Sequence, residues 1–240
     1  MSKKYLLMAM AVASTASTSV MADDESTGEW EGTGQLGFSM TSGNSDTENF
    51  VAGLSMERES EQWVNKFSLD VLRASADDED TAERYTVSAR NGYKFDHNDY
   101  IYNNTRYEKD NFSGFDYTVT TSFGWGHQFF DTDEHKFVTE IGAGYKIEAL
   151  DADRTENTGA VLVGKMDYMI QLTETTKFID VFLVEAAEDN TFIQNDAGFQ
   201  FRVSDKFGVK LAHQYRHNTD APVGRDSTDT LVAANLTYDF

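Results

Sequence analysis

The stretch HQYRHNTD, at residues 213–220, holds the side chains whose types come closest to a catalytic arrangement. Lipid hydrolases pair a histidine with a nearby serine, and a third polar group orients the histidine. No serine lies two residues beyond His213 or His217, where a strand would place both side chains on one face. Ser227 reaches the histidines only if a loop folds back. We therefore interpret these histidines as ordinary polar residues near a loop, and lipid hydrolysis is an alternative.

The same two histidines are badly spaced for a metal ion. Residues four positions apart share one face of a helix, whereas on a strand they are separated by about 13 Å. Protein ligands lie only about 2 Å from a bound zinc ion. We therefore predict no metal-binding residues here, and the sequence indicates no catalytic residue and no cofactor.

Acidic residues are concentrated in short stretches that are predicted to be loops. The run DDED occupies residues 77–80. Further acids are Asp151, Asp153, Glu156, Glu188 and Asp189. Carboxylate oxygens are suitable ligands for Mg²⁺ and Ca²⁺, although the spacing does not match an EF-hand loop. These loops are therefore either simply solvated, or they collect divalent cations that bridge them to anionic lipopolysaccharide.

The charge balance and the rare residue types exclude some classes of protein. With 41 acidic and 20 basic residues the formal net charge is -21, which disfavours nucleic acid as a partner because phosphate binding needs a basic patch. There is no cysteine, so an exported form would have no disulfide bonds. The single proline, Pro222, is compatible with long strands.

The first 22 residues have the pattern of a secretory signal peptide. Lys3 and Lys4 precede a modest apolar stretch, and the sequence VMA at residues 20–22 has small residues at the positions that signal peptidase reads. We expect cleavage after residue 22, which leaves residues 23–240 as one domain. Beyond the signal segment no apolar run approaches 18 residues, so no membrane-spanning helix is predicted.

From Trp30 to Phe240 apolar residues recur at every second position, which indicates strands. Twelve such runs can be counted, and they reach the 9–11 residues or so that a tilted membrane crossing requires. Long polar connections alternate with compact turns, as in outer-membrane barrels, whose short turns face the periplasm. We predict an all-β fold: an up-and-down antiparallel transmembrane β-barrel of about 12 strands in the outer membrane. Residues 100–109 form a strand whose faces the sequence does not assign.

Polar residues that alternate with the apolar ones are expected to line the lumen of this barrel. The charged candidates are Asp70, Arg90, Glu140, Lys146, Glu148 and Arg216. The three acids would favour cations, the three bases would act as counter-charges, and Lys66 is expected to pair with Asp70. These charges could cross-link the lumen into a plug or line a water-filled path. A soluble sandwich has the same alternation with the polar side towards water, so a soluble periplasmic ligand-binding β-protein is a further alternative.

Several segments, taken in order, resemble the family of salt-induced outer-membrane proteins, whose function is otherwise not established. They are GFSMTSGNSDTENF (37–50), RYEKDNFSGFDY (106–117), GWGHQFF, EIGAGYKIE and NLTYDF. The resemblance covers nearly all of residues 23–240 and implies an outer-membrane location and a link to salt, without catalytic residues. NLTYDF, in which Leu236, Tyr238 and Phe240 alternate with polar residues, also resembles the signal that the barrel-assembly machinery recognises.

These observations predict a non-enzymatic outer-membrane barrel. Its role would be envelope integrity or narrow passive passage of small solutes or ions, linked to salt stress. The expected partners are outer-membrane lipid, lipopolysaccharide and the barrel-assembly machinery. A closed barrel has no free edge that requires an oligomer, so a monomer is expected.

Overall fold

The computed structural model describes residues 28–41, 47–76, 79–150 and 155–240. The predicted signal segment, residues 1–22, and the acids at positions 77, 78, 151 and 153 lie outside these residues. Within them the chain forms twelve antiparallel strands, which close into a barrel in sequence order with β1 beside β12. The strands are β1 Trp30–Thr41, β2 Thr47–Glu59, β3 Trp63–Ala76, β4 Glu79–Lys94, β5 Asp99–Asp110, β6 Phe115–Asp131, β7 His135–Leu150, β8 Glu156–Thr173, β9 Thr176–Ala187, β10 Thr191–Arg202, β11 Phe207–Asn218 and β12 Thr228–Asp239. The prediction of a twelve-stranded antiparallel barrel is confirmed.

The two faces of each strand differ in the way the alternation predicts. Phe123 is 67% exposed on the outside, whereas its neighbour Ser122 is 1% exposed on the inside. Leu36 and Ile141 are also largely exposed, while Thr120 is almost fully buried. Apolar side chains outside and polar side chains inside are typical of a barrel that contacts lipid. In the described part of the chain, no helix has the length and apolar character needed to cross a bilayer.

Strands β2, β6 and β10 end in compact turns that share one hydrogen-bond pattern. A hydroxyl side chain in the turn accepts a hydrogen bond from the backbone N–H three residues later, as Ser60 does from Trp63 at 3.0 Å and Thr132 from His135 at 3.0 Å. Ser204 forms the third such turn, with Phe207 as donor at 3.1 Å. Such local bonds favour tight turns.

At the other end of the barrel, the loop predicted after β3 is shorter than the sequence suggested. The polar run SADDEDTA reads as a loop, but β3 continues to Ala76 and β4 already begins at Glu79. Arg73 on β3 pairs with Asp80 on β4 at 3.1 Å, so opposite charges extend the hairpin where polarity alone indicated loop.

Strand β5 has aromatic residues on both faces, which explains why its orientation could not be assigned. Tyr100 and Tyr102 point inward and are 7% and 4% exposed, whereas Ile101 points outward. Two glycines on the neighbouring strand β6 make room for these rings. A Cβ at Gly126 would overlap the ring of Tyr100, and one at Gly124 would lie 2.7 Å from the ring of Tyr102.

Candidate functional site

The lumen contains many of the charged side chains of the described residues. The structure places all six predicted lumen charges on inward-facing positions of their strands. Five of them are buried, with exposures of 8% or less: Arg90, Glu140, Lys146, Glu148 and Arg216. Asp70 differs, because its side chain is exposed to water inside the barrel. The six residues therefore belong to two environments.

Two ion pairs of one arginine span the lumen from wall to wall. Arg216 on β11 forms an ion pair with Asp110 on β5 at 3.2 Å and another with Glu108. Strands β5 and β11 lie six positions apart in a ring of twelve, so this contact crosses the full width of the barrel. The guanidinium can satisfy two carboxylates at once because its N–H donors are fixed in a planar fork.

A second arginine extends this network towards β9. Arg106 donates to both carboxylate oxygens of Glu185, at 3.1 and 2.9 Å, and pairs with Glu108 at 2.8 Å. Thr120 donates a further hydrogen bond to Glu185 at 3.1 Å. Burying a charge is tolerable only when it is paired and hydrogen-bonded, and both conditions are met here.

The ring of Phe192 is the apolar centre around which these cations pack. The guanidinium carbons of Arg106 and Arg216 both lie 4.9 Å from its centroid, and Lys146 Nζ lies at 6.0 Å. Lys146 also pairs with Glu148 at 2.6 Å, within the same layer. Cations over an aromatic face are attracted by its quadrupole, which adds to the ion pairs. This half of the lumen is a cross-linked plug.

A separate cluster fills the end of the lumen near the short turns. Arg90 pairs with Glu140, which also accepts a hydrogen bond from the Tyr100 hydroxyl at 2.5 Å. The guanidinium carbon of Arg90 lies 4.2 Å from the centroid of Tyr102. The cavity left beside this cluster has a volume of about 30 Å³. Such a cavity holds about two water molecules, so passage on this side is narrow.

Asp70 faces the opposite, open side of the lumen. Gln35 approaches it at 3.5 Å, and the carboxylate is otherwise exposed. The expected pair between Lys66 and Asp70 is wrong, because Lys66 binds Glu57 at 3.0 Å. Lys66 and Glu57 are cross-strand neighbours, whereas Lys66 and Asp70 lie about 13 Å apart along one strand.

Asp196 is a second acid in the lumen that the sequence analysis did not single out. It accepts hydrogen bonds of 2.6 Å from both Gln194 and Gln214. Lys210 also faces the lumen from the neighbouring strand β11, four positions from Gln214, which is the cross-strand partner of Asp196. The alternation along β10 could have identified Asp196 as a lumen residue, because it lies between outward-facing residues, as Asp70 does on β3. We use "open side" for the part of the lumen around Asp70, Gln35 and Asp196.

The plug residues that the sequence analysis missed come mostly from β5. Arg106, Glu108 and Asp110 were passed over because the faces of that strand were not assigned. The plug contains as many acids as bases: Arg84, Arg106, Lys146 and Arg216 accompany Glu108, Asp110, Glu148 and Glu185. Because these charges cancel, the sign of the open side decides which ions the lumen prefers.

The histidines considered for hydrolysis lie on the outer surface. His213 and His217 point outward from β11, and His217 Nδ1 lies 2.9 Å from the hydroxyl of Thr228. A threonine hydroxyl thus takes the place where a hydrolase would have its serine. Among the described residues, no group of three or more histidine, cysteine or acidic side chains is arranged to hold a metal ion.

Comparison with known families identifies the chain. A family described as "protein of unknown function, DUF481" matches residues 34–240. The chain belongs to this family. A curated relative, the uncharacterized protein YdiY of Escherichia coli (strain K12), is 24% identical over 210 residues, which cover 87% of this chain and 82% of the relative. The match covers the same part of the chain as the resemblance described above.

Solved outer-membrane barrels are similar in fold to this DUF481 member. The NanC porin has a TM-score of 0.50 and 10% identity, over 88% of this chain and 98% of the porin. An outer-membrane channel from Pseudomonas putida F1 has a TM-score of 0.49 and 11% identity, over 91% and 96%. The translocator domain of the autotransporter NalP from Neisseria meningitidis has a TM-score of 0.47 and 12% identity, over 91% and 90%. At such identities the likeness concerns the fold.

Proposed function

We propose that the protein is a non-enzymatic outer-membrane barrel that lets small cations cross slowly along the open side of its lumen. The observation that carries the proposal is the environment of Asp70, whose carboxylate is exposed to water inside a closed barrel. Charged side chains that line a pore set its selectivity. Asp70 and Asp196 outnumber Lys210, and the nearby Arg84 is shared with Asp110 of the plug. We therefore expect the open side to attract cations.

The plug accounts for a narrow path. Ion pairs between β5, β9 and β11 fill part of the cross-section of the lumen. A twelve-stranded barrel is already close to the size that side chains can fill, so this plug leaves room for ions and small solutes rather than large ones.

Single-channel recording tests the proposal directly. The refolded protein, without residues 1–22, would be inserted into a planar bilayer under a KCl gradient. We expect a small, steady conductance and a reversal potential that favours K⁺. A correctly folded barrel that does not conduct would contradict passage and favour a purely structural role in envelope integrity.

Asp70→Asn is expected to lower the preference for K⁺ over Cl⁻ about twofold, because it removes a lumen charge without changing the size of the side chain. The measurement is the reversal potential of single channels. Asp205→Asn makes the same change at an exposed turn position outside the lumen and should leave selectivity unaltered. Equal shifts in the two variants would mean that surface charge, and not the open side, sets selectivity.

Two simple experiments test the alternatives of a soluble periplasmic protein and a lipid hydrolase. A barrel of this kind fractionates with the outer membrane and migrates differently on gels when it is not heated, whereas a soluble periplasmic protein does neither. A lipid hydrolase would lose phospholipid hydrolysis in a His217→Ala variant. Against this role stands the partner of His217, which is a threonine and not a serine.

We further propose that divalent cations link the acidic loops to lipopolysaccharide and that expression follows salt, as the family resemblance implies. Binding of cations to the folded state alone would raise its stability by mass action. Millimolar Ca²⁺ or Mg²⁺ should therefore raise the unfolding temperature in detergent. An unchanged temperature would remove the cation proposal, and protein levels that do not respond to NaCl would remove the salt link.

A further inference from the structure

An aspartate lies on the outer, lipid-facing side of β9. Asp180 is the fifth of the twelve residues of this strand. Odd-numbered residues of β9 face the lumen, as the buried Glu185 does, so Asp180 points outward, with Phe178 and Phe182 before and after it on the same face. An ionisable side chain at membrane depth is unfavourable and is therefore expected to have a partner or a function.

Within one barrel the Asp180 carboxylate is only partly satisfied. Asn195, an outward residue of β10, donates one hydrogen bond to Oδ1 at 2.6 Å. Among the described residues no other hydrogen bond or ion pair reaches this carboxylate, which is partly exposed. An ionised carboxylate offers about four acceptor positions. Asp180 can therefore accept a further donor from outside the barrel.

A histidine without a partner lies two strands away on the same face. In the register of the sheet Asp180 is opposite Ala197, and Ala197 is opposite His213. Neighbouring strands are about 4.8 Å apart, so Asp180 and His213 flank Ala197 at about 10 Å from each other. His213 is exposed, is the seventh of the twelve residues of β11, and forms no hydrogen bond with any described residue. The two side chains are too far apart to pair within one barrel.

This arrangement is complementary to itself. A two-fold axis that is parallel to the membrane normal and passes just outside Ala197 exchanges the two flanking positions. It places Asp180 of each barrel opposite His213 of the other. The small side chain of Ala197 lets two barrels approach closely at the axis. Phe199 and Leu211, the next outward pair towards the short turns, are 44% and 47% exposed and extend the contact with apolar surface.

We propose that this face of β9, β10 and β11 is the interface of a homodimer within the membrane. Two reciprocal contacts between the carboxylate of Asp180 and the imidazole of His213 form its centre. A histidine ring N–H can donate to a carboxylate, and such charge-assisted bonds are strong. A second copy is the partner because it brings both the donor and the acceptor at the required spacing. A closed barrel offers no free edge to a partner, and this contact uses the outer face instead.

Cross-linking through one introduced cysteine tests the interface. The chain has no cysteine, so Ala197→Cys places a single thiol in each barrel, beside the proposed axis. In liposomes at low protein density, a membrane-permeant oxidant should convert most of this variant into disulfide-linked dimers. Ala89→Cys is the matched control, because Ala89 is also outward-facing and five residues from the short-turn end of its strand, but lies on β4, opposite β10 in the ring. This control should remain monomeric.

Exchanging the two polar residues tests the reciprocal contacts. In the Ala197→Cys background, Asp180→His places histidine opposite histidine, and His213→Asp places acid opposite acid. Each single change should weaken association about tenfold, because two polar contacts within the membrane are lost. Asp180→His combined with His213→Asp restores both contacts and should recover the cross-linked dimer. Gel migration without heating would select the folded protein of each variant.

A third variant does not depend on placing a new polar group in the membrane. Asp180→Leu removes a lipid-facing charge, so the barrel should fold at least as well, yet its association should also be about tenfold weaker. Equal cross-linking at residues 197 and 89, or a folded double variant that does not recover the dimer, would overturn the interface. A folded barrel that remains monomeric in liposomes would do the same, and Asp180 would then have a different partner in the outer membrane.

Conductance separates this inference from the proposed function, because the inference uses the membrane placement but not the passage of ions. Asp180 and His213 face away from the lumen, so the K⁺ conductance of each Asp180→Leu barrel should equal that of the unchanged protein. Cross-linked dimers that do not conduct would overturn the ion path and leave the interface standing. Conducting barrels that never associate would overturn the interface and leave the ion path standing.

Discussion

Replacing Arg216 with methionine is expected to raise single-channel conductance several-fold. Arg216 is the residue whose ion pairs with Glu108 and Asp110 connect opposite walls of the barrel. Methionine has a similar length but no charge, so this connection is lost while the volume is largely kept. Glu108 then keeps only Arg106, and Asp110 keeps only the more distant Arg84, so water must enter to solvate the two carboxylates. The cation preference should increase with the conductance.

The same substitution should reduce stability markedly. Removing one partner of a buried ion pair leaves an uncompensated charge, which typically destabilises a protein by about 3–5 kcal/mol. Chemical unfolding in detergent or lipid would measure this loss. A conductance equal to that of the unchanged barrel, in a folded variant, would show that the Arg216 network does not restrict the lumen.

Arg73→Met is the matched control for this prediction. Arg73 forms an ion pair with Asp80 at 3.1 Å, but both side chains are well exposed near the end of a hairpin. Exposed pairs contribute only about 0–1 kcal/mol. We therefore expect small changes in stability and none in conductance, which would separate the loss of a lumen charge from the loss of any arginine.

Replacing Phe240 with serine is expected to prevent nearly all assembly of the barrel in cells. The ring of Phe240 covers Gly32 of β1, where a Cβ would collide with it, and stacks beside Tyr238 with centroids 6.2 Å apart. The seam between β1 and β12 is paired over few positions, so each contact there carries a large share of closure. Loss of this side chain also removes the last aromatic of the proposed assembly signal formed by Leu236, Tyr238 and Phe240.

Outer-membrane fractionation and gel migration without heating would measure assembly. Phe201→Ser provides the control, since Phe201 is another exposed outward-facing phenylalanine, on β10 away from the seam. It should lower stability moderately without stopping assembly. Equal amounts of folded protein in the two variants would contradict a special role for Phe240.

The strand pattern could be predicted because it is a local property. Side chains alternate between the two faces of a strand, so residues 30 to 240 reveal which positions share a face without any knowledge of contacts. That is sufficient to predict twelve strands, the alternation of short and long connections, and the inward positions of residues such as Glu140 and Asp70. It fails for β5, where Tyr102 inside and Ile101 outside are both apolar in type.

The sequence by itself determined whether most charged residues face the lumen or the outside. The tertiary structure decided which of these residues contact each other. Arg216 and Glu108 are 108 positions apart in the chain, and only closure of the barrel brings them together. Closure therefore places Glu148 in the plug and Glu140 in the separate cluster with Arg90, and it leaves Asp70 exposed. The physical reason is that alternation fixes direction within a strand, whereas distance across the lumen depends on strand order, register and the shape of the closed ring.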